Sequence, residues 1–148
     1  MRHEAYAVSE ASEDFDFFDF ISEGKKGKVR KRVVFAPDGA EGVYNLTLGD
    51  VGEDNEIDDR VVTDNGDRDK ILATVFEIID DYTGRFPDRS ITIEGSTASR
   101  TRLYRMVISI YFEELSSLYE ILCYKDKRLI PFYKNGAVDS FLIKRKTL

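Results

Sequence analysis

An α+β fold is the class this 148-residue sequence predicts: one domain, residues 1–148, with an antiparallel sheet packed against two α-helices. Three observations carry it. Alternating apolar and polar segments bounded by turn residues occupy both ends of the chain, and two segments with helical spacing of apolar residues lie between them. No repeat, low-complexity tract or Pro/Gly/Ser linker divides the sequence, whose length suits a single core. The N-terminal strands read as a meander that the C-terminal strands extend, and residues 1–12 as a mobile terminus.

The first strand expected is Phe15 to Ser22, phenylalanines interleaved with aspartates, followed by turn glycines at Gly24 and Gly27. Lys28 to Phe35 alternates: Val29, Lys31, Val33 and Phe35 share one face, while Lys28, Arg30, Arg32 and Val34 share the other. A period of two therefore predicts a core face and a wet, basic face. Pro37-Asp38-Gly39 signals a turn, and Val43 to Leu48 a third strand with Tyr44, Leu46 and Leu48 on one side. From Gly49 to Asp69 the composition turns acidic without the ligand spacing of a twelve-residue calcium loop, so a solvated loop is expected and no metal is assigned. Asp64-Asn65-Gly66-Asp67 reads as the turn and cap of a helix carrying Ile71, Leu72, Val75, Ile78, Ile79, Tyr82 and Phe86, which ends near Gly84 and Pro87.

A short strand, Ser90 to Glu94, leads to Gly95, and a second helix capped by Ser96, Thr97 or Ser99 is expected to run to about Leu115. Leu118 to Tyr124 and Leu129 to Tyr133 are further strands, the latter confined to an edge by Pro131. After Asn135-Gly136, Ser140 to Lys144 is the last.

Composition excludes several chemistries. A formal net charge of -6 argues against a coat for duplex DNA. One histidine, His3, and one cysteine, Cys123, supply neither a catalytic triad nor a zinc shell, and Cys123 in an apolar run reads as a core thiol. Neither phosphate-loop nor dinucleotide glycine motifs occur, and no cofactor is expected. The N-terminal segment has no unbroken apolar stretch, so neither signal peptide nor membrane anchor is expected and a cytoplasmic location is the default.

The segment Gly95-Ser96-Thr97-Ala98-Ser99-Arg100-Thr101-Arg102-Leu103-Tyr104-Arg105 concentrates what chemistry remains. A helix start with free N–H groups, hydroxyls and guanidinium groups suits an anion. At roughly 100° per residue, Leu103, Tyr104, Val107, Ile108, Ile110, Tyr111 and Leu115 form one broad apolar arc with Arg100 in its middle. Arg102 and Arg105 fall on the wetter side. Arg100 then either forms a buried ion pair with an aspartate or meets a ligand together with Ser96 and Thr97. Lys28 and Arg30 join the candidate ligand-binding set, with Asp64 and Asp67 as acidic partners.

These motifs resemble an uncharacterised bacterial family of about this length, a domain of unknown function with the D-N-G-D run at Asp64 to Asp67 and the G-S-T-x-x-R-T-R-L-Y-R run at Gly95 to Arg105. The similarity extends through Gly24 to Lys31, Tyr44-Asn45-Leu46, Gly49-Asp50 and Phe141 to Arg145. It implies no activity, only a bacterial cytoplasmic origin and attention to the glycine-to-arginine segment.

The leading expectation is a small binding module for a phosphate-bearing ligand, a nucleotide or single-stranded nucleic acid, with Phe18, Tyr44 and Tyr104 as stacking candidates. A histidine-independent enzyme of nuclease or phosphoryl-transfer type, using Asp64 or Asp67 with Arg100, is one alternative. The other is a protein-interaction domain, a homo-oligomer included, pairing through edge strands near Leu129 to Tyr133 or Ser140 to Lys144. No membrane partner is expected.

Overall fold

Strand β2 (Phe17–Gly24) turns tightly into β3 (Gly27–Pro37), and their registered antiparallel pairing sets Phe18 opposite Val33 and Asp19 opposite Arg32. The computed structural model describes residues 4–58, 64–134 and 136–146. His3, Thr63 and Asn135 lie outside them. Around this hairpin are β1 (Glu10–Ala11), β4 (Val43–Val51), β5 (Ile57–Asp58), β6 (Ser90–Ile93), β7 (Tyr119–Lys125), β8 (Arg128–Pro131) and β9 (Ser140–Arg145). Helices α1 (Arg68–Arg85), α2 (Ala98–Ile110) and α3 (Phe112–Leu118) complete the elements. No helix among the described residues is long and apolar enough to cross a membrane.

The chain divides into two compact units. One comprises residues 2–36 and 47–82, the other 37–46 and 83–148, so that β4 gives its first four residues to the latter and the rest to the former.

In the first unit the strand order is β1-β2-β3-β4, with β5 on β4. Phe18, Phe20, Val33 and Phe35 are buried, as are Leu72, Val75, Ile78, Ile79 and Tyr82 of α1. Tyr82 stacks on Phe35 with ring centroids 3.8 Å apart, and Phe18 meets both rings edge-on. The N-terminal segment, expected to be mobile to residue 12, is tied down from Tyr6, whose N–H donates to Thr74 Oγ1 at 2.9 Å and whose ring stacks on Phe20.

The basic face expected on β3 is wet only toward the hairpin turn, where Lys28 is exposed and Arg30 half-exposed, and is buried at Arg32. Asp19, 0% exposed, accepts from Arg32 Nε at 2.7 Å and from Arg30 Nη2 at 2.7 Å. Lys31, on the core face with Val33 and also 0% exposed, pairs with Asp50 at 2.7 Å, while the exposed Lys28 lies 3.7 Å from Glu23. An alternating pattern marks the two faces of a strand, but a carboxylate directly opposite on the neighbouring strand lets a charged face be buried.

In the second unit the order is β4-β6-β9-β7-β8. The expectation of a wholly antiparallel sheet is corrected here: β4 and β6 pair in parallel, Val43 opposite Ser90 through Leu46 opposite Ile93. Parallel neighbours need a long crossover, and α1 lies in the segment joining them. Two further expectations change. The second helix does not reach Leu115 unbroken but stops at Tyr111 (φ -105, ψ 21) and restarts as α3, giving three helices rather than two. Ser140–Arg145 is no edge, since β9 pairs with both β6 and β7. Strand β8 does end the order, as Pro131 requires. Cys123 is buried and its thiol donates to Pro131 O at 3.7 Å, with burial raising its pKa, as a core thiol should.

Removing the Asp19 carboxylate strands the buried Arg32 guanidinium. Asp19→Ala is expected to lose about 3–5 kcal/mol of unfolding free energy, whereas Arg30→Ala, whose side chain is partly solvated, loses about 1 kcal/mol or less. Urea unfolding of both variants at neutral pH checks the ordering.

Candidate functional site

Strand β6 passes into α2 through a backbone contact that only glycine permits. A Cβ on Gly95 would strike the Thr101 N and come within 2.6 Å of Arg100. The Gly95 N–H donates to Thr101 Oγ1 at 3.0 Å, and that hydroxyl donates to Thr97 O at 3.2 Å. Thr97 is the cap: its Oγ1 accepts from the Arg100 N–H at 3.2 Å, and its carbonyl accepts from Thr101 N–H at 3.0 Å. The N–H groups of Ala98 and Ser99 remain without partners among the described residues.

Beside this helix start lies a cavity of ≈ 360 Å³. Ser96, Thr97, Ala98, Thr101, Arg102 and Arg105 line one side, and Glu94, Ala137, Val138 and Asp139 also contribute. Arg105 is half-buried and its Nη1 donates to Gly136 O at 2.8 Å, which fixes the guanidinium. Arg102 is exposed and meets no carboxylate among the described residues.

Arg100 does not form the buried ion pair with an aspartate. It is half-exposed rather than core-buried, its Nη1 donates to Ser96 Oγ, and it is not among the cavity's lining residues. Its charge lies near Tyr104, a buried phenol whose pKa desolvation pushes up to about 12, against the smaller opposing pull of Arg100.

Ser96, Thr97, Arg102 and Arg105 are thus brought together around one space, whereas Lys28, Arg30, Asp64 and Asp67 belong to the other unit. There the D-N-G-D run closes the β2–β3 hairpin. Asn65, 1% exposed, takes the Lys26 N–H on Oδ1 at 2.6 Å, donates from Nδ2 to Gly27 O and Ser22 Oγ, and offers its carbonyl to the Lys25 N–H. A Cβ on Gly24 would strike the Asn65 carbonyl. Asp67 Oδ2 accepts from Tyr6 OH and from Ser22 Oγ, and its carbonyl accepts the Ile71 N–H as α1 begins. The Gly66 N–H, and after it Lys25, holds the Asp64 carboxyl below its ordinary pKa.

Sequence reasoning missed Glu94, Thr101 and Asp139 as lining residues. Thr101 was legible in principle: a buried-face hydroxyl six residues after a glycine suits a bond across a tight strand-to-helix turn. Glu94 and Asp139 carried no signal, because only the fold brings the 137–139 segment to the start of α2. Among the described residues no group of three or more His, Cys, Asp or Glu side chains is arranged to hold a metal ion.

An α+β protein with a small polar cavity at a helix start is the class that fold and site define. The chain belongs to the family of unknown function DUF6934, whose model matches residues 2–146. No curated protein and no solved structure matches it.

The buried Tyr104 phenol gives the site unit a definite alkaline response. Its folded pKa lies above the unfolded value of 10.0, so the folded state holds the proton longer and stability falls as pH rises from 10 toward 12. Tyr104→Phe is expected to remove about 2 kcal/mol of that fall, read from the two proteins' urea-unfolding free energies at pH 9 and pH 11.5.

Proposed function

We propose that the cavity at the start of α2 binds a small phosphate-bearing ligand of nucleotide size, the phosphate lying against Arg102, Arg105 and the first turn of the helix. One observation carries this reading. Arg102 and Arg105, the hydroxyl residues Ser96, Thr97 and Thr101, and Ala98 with its unpaired N–H all line a single space of ≈ 360 Å³. That volume falls within the roughly 300–1,000 Å³ typical of small-molecule sites. Donors at a helix N-terminus suit phosphate oxygens because backbone dipole and guanidinium act in the same sense.

Glu94 and Asp139 refine the ligand class. A purely anionic ligand fits their carboxylates poorly, whereas a nucleotide offers a phosphate to the arginines and base or sugar donors to the acids. A single-stranded nucleic acid is the weaker version. Phe18 and Tyr104 are buried, and Tyr44 lies under the Arg89 guanidinium at 4.2 Å, so these rings offer no free stacking surface. Of the acids of the enzymatic alternative, Asp67 Oδ2 is taken by Tyr6 and Ser22 and Asp64 accepts the Gly66 N–H, both beside the hairpin turn.

Isothermal titration with inorganic phosphate, pyrophosphate and nucleoside mono- and triphosphates tests the reading. Nucleotide binding that weakens with added salt is expected, and Arg102→Ala is expected to weaken it about tenfold to a hundredfold. Absence of heat with every probe, or affinity unchanged in both Arg102→Ala and Arg105→Ala, would overturn it.

A further inference from the structure

Arg105 owes its fixed guanidinium to a residue that does not itself line the cavity. The chain between β8 and β9 is pinned to β7 at both ends: the Phe132 N–H donates to Ile121 O at 3.2 Å and the Asp139 N–H to Tyr124 O at 2.9 Å. Phe132 is buried and stacks on Phe112 of α3, with ring centroids 5.3 Å apart. Between these anchors Gly136 is buried against the Tyr133 ring, and a Cβ at Gly136 would strike the end of that ring. The ring has little room to swing aside, because its hydroxyl is itself buried. The backbone at this point therefore lies where only a residue without a side chain fits. Its carbonyl accepts from Arg105 Nη1 at 2.8 Å, and the residues that follow, Ala137, Val138 and Asp139, line the cavity.

We propose that Gly136 is the positioning residue for Arg105: the Tyr133 ring seats Gly136, and the Gly136 carbonyl aims the guanidinium at the cavity. Its use for anion binding rests on the cavity reading above. A side chain at position 136 would lift the backbone off the ring, carry the carbonyl away from Arg105 and move the cavity wall with it. Arg105 would then have to be ordered by the ligand, at a cost in rotamer entropy that the folded chain meets in advance.

The nature of the acceptor matters as much as its place. Half-buried Arg105 has this neutral carbonyl, and no carboxylate, as its partner among the described residues. A carboxylate there would hold the guanidinium and also cancel its charge, whereas a carbonyl orients it and leaves the charge for an incoming anion.

NMR of the nitrogen-labelled, ligand-free chain reads the positioning directly. The Arg105 guanidinium resonances, assigned by their loss in Arg105→Ala, should exchange with water on the order of tenfold more slowly than those of exposed Arg102. Gly136→Ala and Tyr133→Ala disturb the seat from opposite sides, and each should bring Arg105 to the Arg102 rate while circular dichroism stays unchanged. Should Gly136→Ala not fold, Tyr133→Ala carries the same measurement. Tyr133→Phe, which gives back the ring without a hydroxyl that has no partner among the described residues, should restore slow exchange. Calorimetric titration with pyrophosphate then reads the consequence. Each disturbing variant should weaken binding about threefold to tenfold, and neither should weaken it further in the Arg105→Ala background, where a merely structural loss would add. Arg105 exchanging as fast as Arg102 in the parent chain, exchange unmoved by the variants, or losses that add to that of Arg105→Ala would overturn the proposal. Absence of heat with pyrophosphate and with nucleotides, beside slow Arg105 exchange that the variants abolish, would overturn the cavity reading and leave the positioning of Arg105 standing.

Discussion

Everything at the helix start depends on the approach of Gly95 to Thr101. With no Cβ on Gly95, the exit of β6 touches the first turn of α2 backbone to backbone, and the Thr101 hydroxyl bridges the two segments. This fixes the rotation of α2 about its axis. Once Thr101 faces the strand, Tyr104 and Ile108 follow into the core, Arg102 and Arg105 turn over the cavity, and Leu103, Met106 and Ile110 turn outward. A residue with a side chain at position 95 would have to push the helix away, and all three faces would shift together.

Charge in the other unit is organised by a different rule. Its buried cations are met by its own acids: Asp19 holds Arg32 and the half-exposed Arg30, and Asp50 holds Lys31. Each buried cation is matched, as the cost of leaving one unpaired demands. Asn65 does for the polar backbone what Asp19 does for the charges, saturating the hairpin turn from a single buried amide. Arg100 and Arg102, in the unit that carries α2, have no carboxylate partner among the described residues.

Much of the fold was legible because it is written in local periods. The apolar row from Ile71 to Tyr82 and the alternation of β3 give their elements directly, and Pro131 placed β8 at an edge. Pairing was less legible. The parallel contact of β4 with β6 joins residues more than forty positions apart, and nothing local records it. Strands β1 and β5, two residues each, are too short to carry a period. The sorting of the arginines went astray for an instructive reason. The single arc drawn from Leu103 to Leu115 merges two rows, one buried and one exposed, and their mean direction runs close to Arg100. Periodicity identifies apolar residues without saying what covers them, so Arg100 was read as core when it lies between a core face and an open one.

The two arginines that do line the cavity are not equivalent. Arg105 is held by the Gly136 carbonyl before any ligand arrives, so little rotamer freedom is lost when its remaining donors are used. Arg102 is exposed and unrestrained by ion pairs among the described residues, and it must be ordered on binding. In the proposed site a fixed guanidinium beside a free one divides labour between orientation and capture, Arg105 marking where an anionic group would fit and Arg102 closing over it. Glu94 and Asp139 strengthen this division, because acids lining the same cavity offset the arginines' attraction for anions in general. Selectivity in such a cavity would rest on where each charge sits rather than on net charge, so a formal charge of -6 is compatible with the proposed phosphate site.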